Sequence, residues 1–405
     1  MKIGLIRETK VPEDNRVALT PHQVKELQDT YKDIQFCVQN SPSRSYSDEE
    51  YQDLGIEVKD NMSDCDVLLG IKEADISTLI PEKHYFFFGH IAKMQSYNRP
   101  LLQKMMEMKL TFSDYEYLVD DNGVRLCAFG WWAGVVGVYN TLRAYGQKYS
   151  LFTLEKPDRK FTLNCLINRL KEIELPAIKI VLTGNGRVSH GAQFVLNKMG
   201  IKELSVENYL NTDIKGPCFC VADIDQLVRK RNRDENTFDL LYFRKHPQEY
   251  VSNFERFYRV SDILISCHFW APGQAVYMSE DNLKNQCNKI RVIGDITCDI
   301  QGSIKSTIRP STHDDPFYDY NPQTMKEEKA FSDSNNITVM AVDTLPNALA
   351  RDTSEYFGEL LVQHVIIPLC TSQKLDVIEK ATILKNGKLT ETFNYLKDFA
   401  NADIK

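Results

Sequence analysis

A chain of 405 residues is long enough for two or more domains with cores of their own, at roughly 100 to 200 residues per domain, and needs no metal or disulfide staple. Its 49 basic and 56 acidic side chains leave a net charge of -7 without any dense Lys/Arg run, which excludes the concentrated basic face that nucleic acid or an anionic membrane requires and favours a small-molecule partner. The ten cysteines are scattered, and Cys218 and Cys220 lack the second pair that would complete a metal site, so reduced thiols, a cytoplasmic location and no metal are expected.

MKIGLIRE lacks the basic and long apolar regions of a signal peptide, and no window approaches the roughly 18 apolar residues of a membrane span. IGLIRE instead predicts a strand, TKVPEDNR a polar loop, and TPHQVKELQDTY a helix with Thr20 as N-cap and Pro21 as its first residue. DIQFCVQN, DCDVLLGIKE, HYFFFGHIA and KLTFSDYEYL continue as strands, with helix-like SDEEYQDLG and NRPLLQKMMEM between them. That alternation predicts a parallel α/β sheet. FGWWAGVVGVYNTLRAYGQKY reads as a long helix rich in small residues, suited to close packing and to connecting two domains.

IKIVLTGNGRVSHGAQFVLNKMG restarts the pattern as strand, glycine turn and amphipathic helix. CFCVAD, SDILISCHF and KIRVIGDI are its later strands, ITVMAVDTLP a last strand, and RDTSEYFGELLVQHVIIPL a C-terminal helix. The expected architecture is α/β with two Rossmann-like domains and mainly parallel sheets. A nucleotide domain, residues 131–337, is inserted into a discontinuous substrate domain, residues 1–130 plus 338–405.

The loop Gly184-Asn185-Gly186-Arg187-Val188-Ser189 is G-x-G-x-x-S. Gly184 permits the tight turn, Gly186 lets the backbone approach a pyrophosphate, and Ser189 keeps the helix close to the strand while its N-terminal N–H groups face the anion. A ribose-binding acid is expected about 20 residues further on, where Glu207 stands beside Asn208. A solvated glutamate is the alternative reading there, and Arg187 inside the loop leaves NAD and NADP both open.

Lys10 and Arg16 flank the first loop, Lys72 and Glu73 end the DVLLGIKE strand, and His90 and Lys93 follow FFFGH. Open α/β sheets bind ligands at the carboxyl ends of their strands, so these residues can converge on one cleft. Several cations there point to a polyanionic small molecule, with Arg16 and Arg125 as carboxylate forks. A lysine among other cations has a lowered pKa, which suits Lys72 to accept a proton with His90 as its acid–base complement; the alternative is a solvated lysine and a structural histidine.

GIKE, FFFGHIAKMQ, DYEYL, GVRLCAFGWWAGVVG, TGNGRVSHGAQ, YFRKHPQEYVSNF, GDITCDIQGSI and DTLPNALARDTSEYFGELL together resemble the saccharopine dehydrogenase and lysine-2-oxoglutarate reductase family, within the alanine dehydrogenase superfamily. The resemblance implies an NAD(P)-dependent oxidoreductase interconverting L-lysine plus 2-oxoglutarate and saccharopine. It implies Lys72 and His90 as the acid–base pair, with Arg16, Glu73, Gln95, Arg125 and Phe129 lining the substrate site and Lys10, Lys93 and Glu116 in the polar shell around it. Gly186 and Arg187 would meet the cofactor, and the Asp295 to Asp299 loop would approach its nicotinamide side. Val124 stands where lysine-forming NAD enzymes tend to have an arginine, and the ribose aspartate falls on Glu207 or Asn208. Rival readings are another amino-acid dehydrogenase, such as one acting on alanine, and a non-catalytic nucleotide sensor. Direction, cofactor preference and oligomeric state stay open.

Overall fold

A computed structural model describes residues 1–232 and 238–402. They form two compact units: Met1–Phe129 together with the chain from Ala350 onward, and the continuous stretch Gly130–Leu349.

The first unit is built on β1 (Lys2–Leu5), β2 (Gln35–Gln39), β3 (Glu57–Lys59), β4 (Val67–Leu69), β5 (His84–Phe87) and β6 (Thr111–Asp114). They run parallel in the spatial order β6-β5-β4-β1-β2-β3. Successive side chains enter opposite cores: Val67, Leu69 and Phe86 pack on one face, Leu68, Tyr85 and Phe87 on the other. Burial on both faces is why these segments read as unbroken apolar runs. The helix Pro21–Thr30 starts where expected, because the Thr20 hydroxyl accepts the Gln23 N–H while the Gln23 side chain accepts the Thr20 N–H at 2.9 Å.

Beyond β6 the sheet is completed by two antiparallel strands, Thr382–Lys385 and Lys388–Leu389. ITVMAVDTLP is therefore not the last strand. The late ones escape a reading by period because four residues following directly on a short helix carry too little pattern.

The second unit contains β7 (Lys179–Thr183), β8 (Lys202–Glu203), β9 (Cys218–Ala222), β10 (Val228–Lys230), β11 (Tyr250–Ser252), β12 (Ile263–Ser266), β13 (Val292–Asp295), β14 (Phe317–Asn321), β15 (Lys326–Glu328) and β16 (Ile337–Met340). The main sheet has the order β15-β14-β16-β13-β12-β7-β9-β8, antiparallel only where β14 and β15 join, and β10 and β11 form a separate hairpin. Because β16 pairs with β13 on one side and β14 on the other, residues 338–349 lie in this unit. The return to the first unit comes at Ala350 rather than at 338.

The small-residue helix, Gly130–Tyr149, belongs to the second unit and crosses the helix Arg187–Lys198 at backbone contact. A Cβ on Gly134 would stand 1.9 Å from the Val188 carbonyl oxygen, and one on Gly191 would stand 1.9 Å from that of Trp131. Only glycine permits this approach.

Candidate active site

β1, β4, β5 and β6 lie side by side and parallel, so the loops after them gather at one edge of the first unit's sheet. Glu73, after β4, is the hub: Oε1 meets His90 Nδ1 at 2.9 Å and Oε2 meets Lys10 Nζ at 3.0 Å. Burial opposes its ionisation, yet the bonds from His90 and Lys10 bring its carboxyl down to about 2. A carboxylate on Nδ1 fixes the ring and leaves Nε2 as the atom that can exchange a proton. His90 itself sits at φ 51 on the sharp exit from β5. Asn98 Nδ2 ties down its carbonyl at 3.2 Å.

After β6, the buried Glu116 carboxylate binds Arg125 Nη2 at 3.1 Å and Lys93 Nζ at 3.4 Å, and both cations keep about half of their side-chain surface in solvent. Arg16 differs from its expected role as an open carboxylate fork. It is buried, its Nε and Nη2 are taken by Asp14, and its guanidinium lies 4.2 Å from the Phe129 ring centre. Gln95 Oε1 accepts from Tyr97 at 2.6 Å on an exposed turn.

Three acids that the sequence reading passed over complete the cluster. Glu8 accepts the N–H groups of Ile71 at 2.6 Å and Lys72 at 2.8 Å, which anchors the main chain of the lysine. Asp114 accepts those of Gly89 and Glu116. Asp14 pairs with Arg16, and it also feels the positive charge of Lys72. The surroundings of Lys72 are thus mixed, not purely cationic as expected, and carboxylates from a loop some 60 residues away supply the difference. Burial raises the Glu8 carboxyl to about 8 and that of Asp114 to about 7, whereas Arg16 holds Asp14 below its ordinary range against the cost of burial. With two of the acids pushed toward the neutral form, less of the positive charge of Lys10, Arg16, Lys72, Lys93 and Arg125 is compensated. That suits an anionic ligand.

A carboxyl with a raised folded pKa binds its proton more tightly in the folded chain. Its stabilising contribution is full below the unfolded value, 4.5 for Glu8 and 3.8 for Asp114, and is lost as pH rises through the folded one. Between about pH 5 and 8 for Glu8, and about pH 4 and 7 for Asp114, each group therefore makes the unfolding free energy fall, by up to ~1.4 kcal/mol per pH unit. Glu8→Gln and Asp114→Asn are expected to flatten that fall by about one proton each in urea melts across these ranges. Unchanged slopes in both variants would contradict the assignment.

In the second unit the glycine turn takes the expected form. Gly184 has φ +79, and a Cβ there would meet the His268 main chain at 2.9 Å. Gly186 is the N-cap of the helix Arg187–Lys198 without any side-chain capping bond, and a Cβ on it would find nothing within 4 Å. Open backbone donors and open space are what a pyrophosphate needs, so the loop fits a dinucleotide. Ser189 is buried and accepts from Gln193 Nε2 at 3.0 Å, Asn185 and Arg187 are exposed, and the main chain of Val188 packs on Gly134.

His268 braces the turn from behind, with Nδ1 2.7 Å from Thr183 Oγ1 and Nε2 2.7 Å from Ser303 Oγ; burial lowers its pKa to about 4, so it stays neutral. Asp295, expected near the nicotinamide, is buried and accepts from Ser266, Thr297 and Thr307, so its carboxylate organises the loop instead of facing a ligand. Asp299 is half-buried, and its carbonyl accepts from Gly302 at 2.8 Å. Glu207 is not at a strand end: it lies exposed in the first turn of the helix Val206–Asn211, capped by Ser205.

Residues 4–136 match the model of the alanine dehydrogenase/PNT N-terminal domain. The chain thus carries an N-terminal domain of the alanine dehydrogenase/PNT type. It is 28% identical to an alpha-aminoadipic semialdehyde synthase of Arabidopsis thaliana over 97% of its own length and 41% of that protein. It is 27% identical to the mitochondrial alpha-aminoadipic semialdehyde synthase of Bos taurus, over 98% of this chain and 47% of that one. The chain thus spans less than half the length of these relatives. A saccharopine dehydrogenase [NAD(+), L-lysine-forming] of Yarrowia lipolytica is 24% identical over 90% of this chain and 92% of its own. In fold the chain resembles an L-alanine dehydrogenase, with a TM-score of 0.67 at 16% identity, covering 99% of this chain and 100% of that one. In fold it also resembles a transhydrogenase from Sinorhizobium meliloti, with a TM-score of 0.58 at 14% identity, covering 96% of this chain and 99% of that one. Among the described residues no helix is long and apolar enough to cross a membrane.

Proposed function

We propose that this chain interconverts L-lysine plus 2-oxoglutarate and saccharopine, with NAD or NADP as cofactor. The observation that carries the reading is the Lys10–Glu73–His90 constellation beside Lys72, at the ends of adjacent parallel strands among several further cations. Relatives whose names include saccharopine dehydrogenase support it.

The chemistry asks for proton movement at nitrogen and oxygen before any redox step. The lysine ε-amine attacks the ketone carbon of 2-oxoglutarate; the nitrogen must lose one proton and the oxygen must gain two before it leaves as water, giving a protonated imine. His90, with Nδ1 held by Glu73, takes the proton at Nε2, and Lys72 delivers protons to the departing oxygen. Lys93 and Arg125, each half exposed on the buried Glu116, meet substrate carboxylates. Arg16, locked to Asp14, adds charge at longer range. A dinucleotide held by its pyrophosphate at the Gly184 to Ser189 turn would supply the two electrons, as hydride, that reduce the protonated imine.

The test is the oxidation of NADH and of NADPH with lysine plus 2-oxoglutarate against pyruvate plus ammonium. Turnover with the first pair alone supports the proposal, and turnover with the second alone replaces it by an alanine-type activity. Cofactor binding with no oxidation for any pair would leave a nucleotide sensor.

A further inference from the structure

We propose that Asp223, and not Glu207, is the acid that meets the adenosine ribose, and that its charge makes the chain prefer NAD to NADP; this rests on the nicotinamide-cofactor reading above. In dinucleotide-binding sheets the acid that accepts the ribose 2′-hydroxyl stands at the carboxyl end of the strand beside the one that carries the glycine turn. Where spatial order follows chain order, that neighbour is the next strand, hence an acid about 20 residues on. Here the order differs. β9 lies against β7, and β8 lies outside β9.

β7 and β9 end level, with Thr183 opposite Ala222, and the Gly184 N–H donates to the Ala222 carbonyl at 2.8 Å. Asp223 is the next residue, exposed at the height of the turn. Its Oδ1 accepts the Ile224 N–H at 2.7 Å, which fixes the carboxylate at the strand end; Oδ2 takes no partner among the described residues. Glu207 is badly placed by comparison. Two strand spacings of about 4.8 Å set β8 roughly 10 Å aside from β7. β8 also ends at Glu203 opposite Phe219, and Glu207 follows on the helix Val206–Asn211 and not at a strand end.

A carboxylate accepts a hydrogen bond from a 2′-hydroxyl and repels a 2′-phosphate. The opposing charge is Arg187, exposed as the first residue of the helix after the turn. Calorimetric titration of the full chain with NADH and with NADPH, without substrate, decides between them.

The expected result is NADH binding about tenfold tighter or more, with Asp223→Asn closing that gap by about tenfold and Glu207→Gln leaving it unchanged. Asparagine caps helices as well as aspartate, so the variant keeps the local fold. An unmoved ratio in Asp223→Asn, a ratio moved by Glu207→Gln, or a wild-type preference for NADPH overturns the assignment while the cofactor reading stands. Failure of the wild-type chain to bind either nucleotide overturns both.

Discussion

Replacing Lys72 with methionine is expected to lower kcat for the lysine and 2-oxoglutarate reaction by about 10² to 10⁴, the usual range for a general acid or base. His90→Gln should cost a similar factor, and the double variant little more than the worse single one, because both act on the same proton transfers. The loss should fall on kcat more than on KM: the cations at Glu116 and the nucleotide turn are untouched by either change. Folding is not the confounder. The main chain at Lys72 is held through its own N–H by Glu8 at 2.8 Å, and that bond survives the substitution. A melting temperature within a few degrees of wild type checks this, and turnover within about tenfold of wild type in both variants would remove Lys72 and His90 from the mechanism.

Gly134→Ala is expected to be among the most damaging single methyl groups that can be added to the second unit. The new carbon would lie 1.9 Å from the Val188 carbonyl oxygen and 2.8 Å from the Ala192 nitrogen, both backbone atoms of a packed helix. No rotamer change relieves a clash of main chain with main chain, so the helices must separate along their length. Overpacking typically costs ~1 to 3 kcal/mol, and this case belongs at the upper end or beyond. At roughly 2 to 4 °C per kcal/mol for a body of this size, the transition should drop by about 6 to 12 °C. Gly191→Ala should match it, whereas Gly186→Ala, with open space around its Cβ, should hardly move stability while weakening nucleotide binding. A Gly134→Ala chain that melts with the wild type would show that the two helices do not touch as described.

Much of this architecture can be read from the residues because local and global preferences agree. Apolar runs such as VLL and ILIS are buried on both faces and announce parallel strands, and Thr20, Pro21 and Gln23 announce a helix start. Lys72, Glu73 and His90 could be singled out because each follows such a strand directly. Their counter-ions could not. Glu8 meets Ile71 and Lys72 more than 60 positions away, and nothing in IRETK says which strand will lie beside β1. Asp295 was legible as a loop acid but not as a buried one, since the hydroxyls that fill it come from Ser266 and Thr307 on separate segments. Glu207 departs from its expected strand-end place, and counting residues from the glycine turn assumes that consecutive strands are neighbours, whereas β9 comes between β7 and β8.

The division of the chain also sets an order of events during synthesis. Gly130–Leu349 is continuous and can close as soon as it leaves the ribosome, whereas the opening 129 residues must wait for the strand Thr382–Lys385 and for Ser354, whose hydroxyl accepts the Val17 N–H at 2.9 Å. Until then β6 presents an open edge, the kind of surface to which chaperones and neighbouring nascent chains attach. Ribosome stalling or premature termination before residue 382 would thus leave a product whose first sheet is incomplete and open to aggregation along β6.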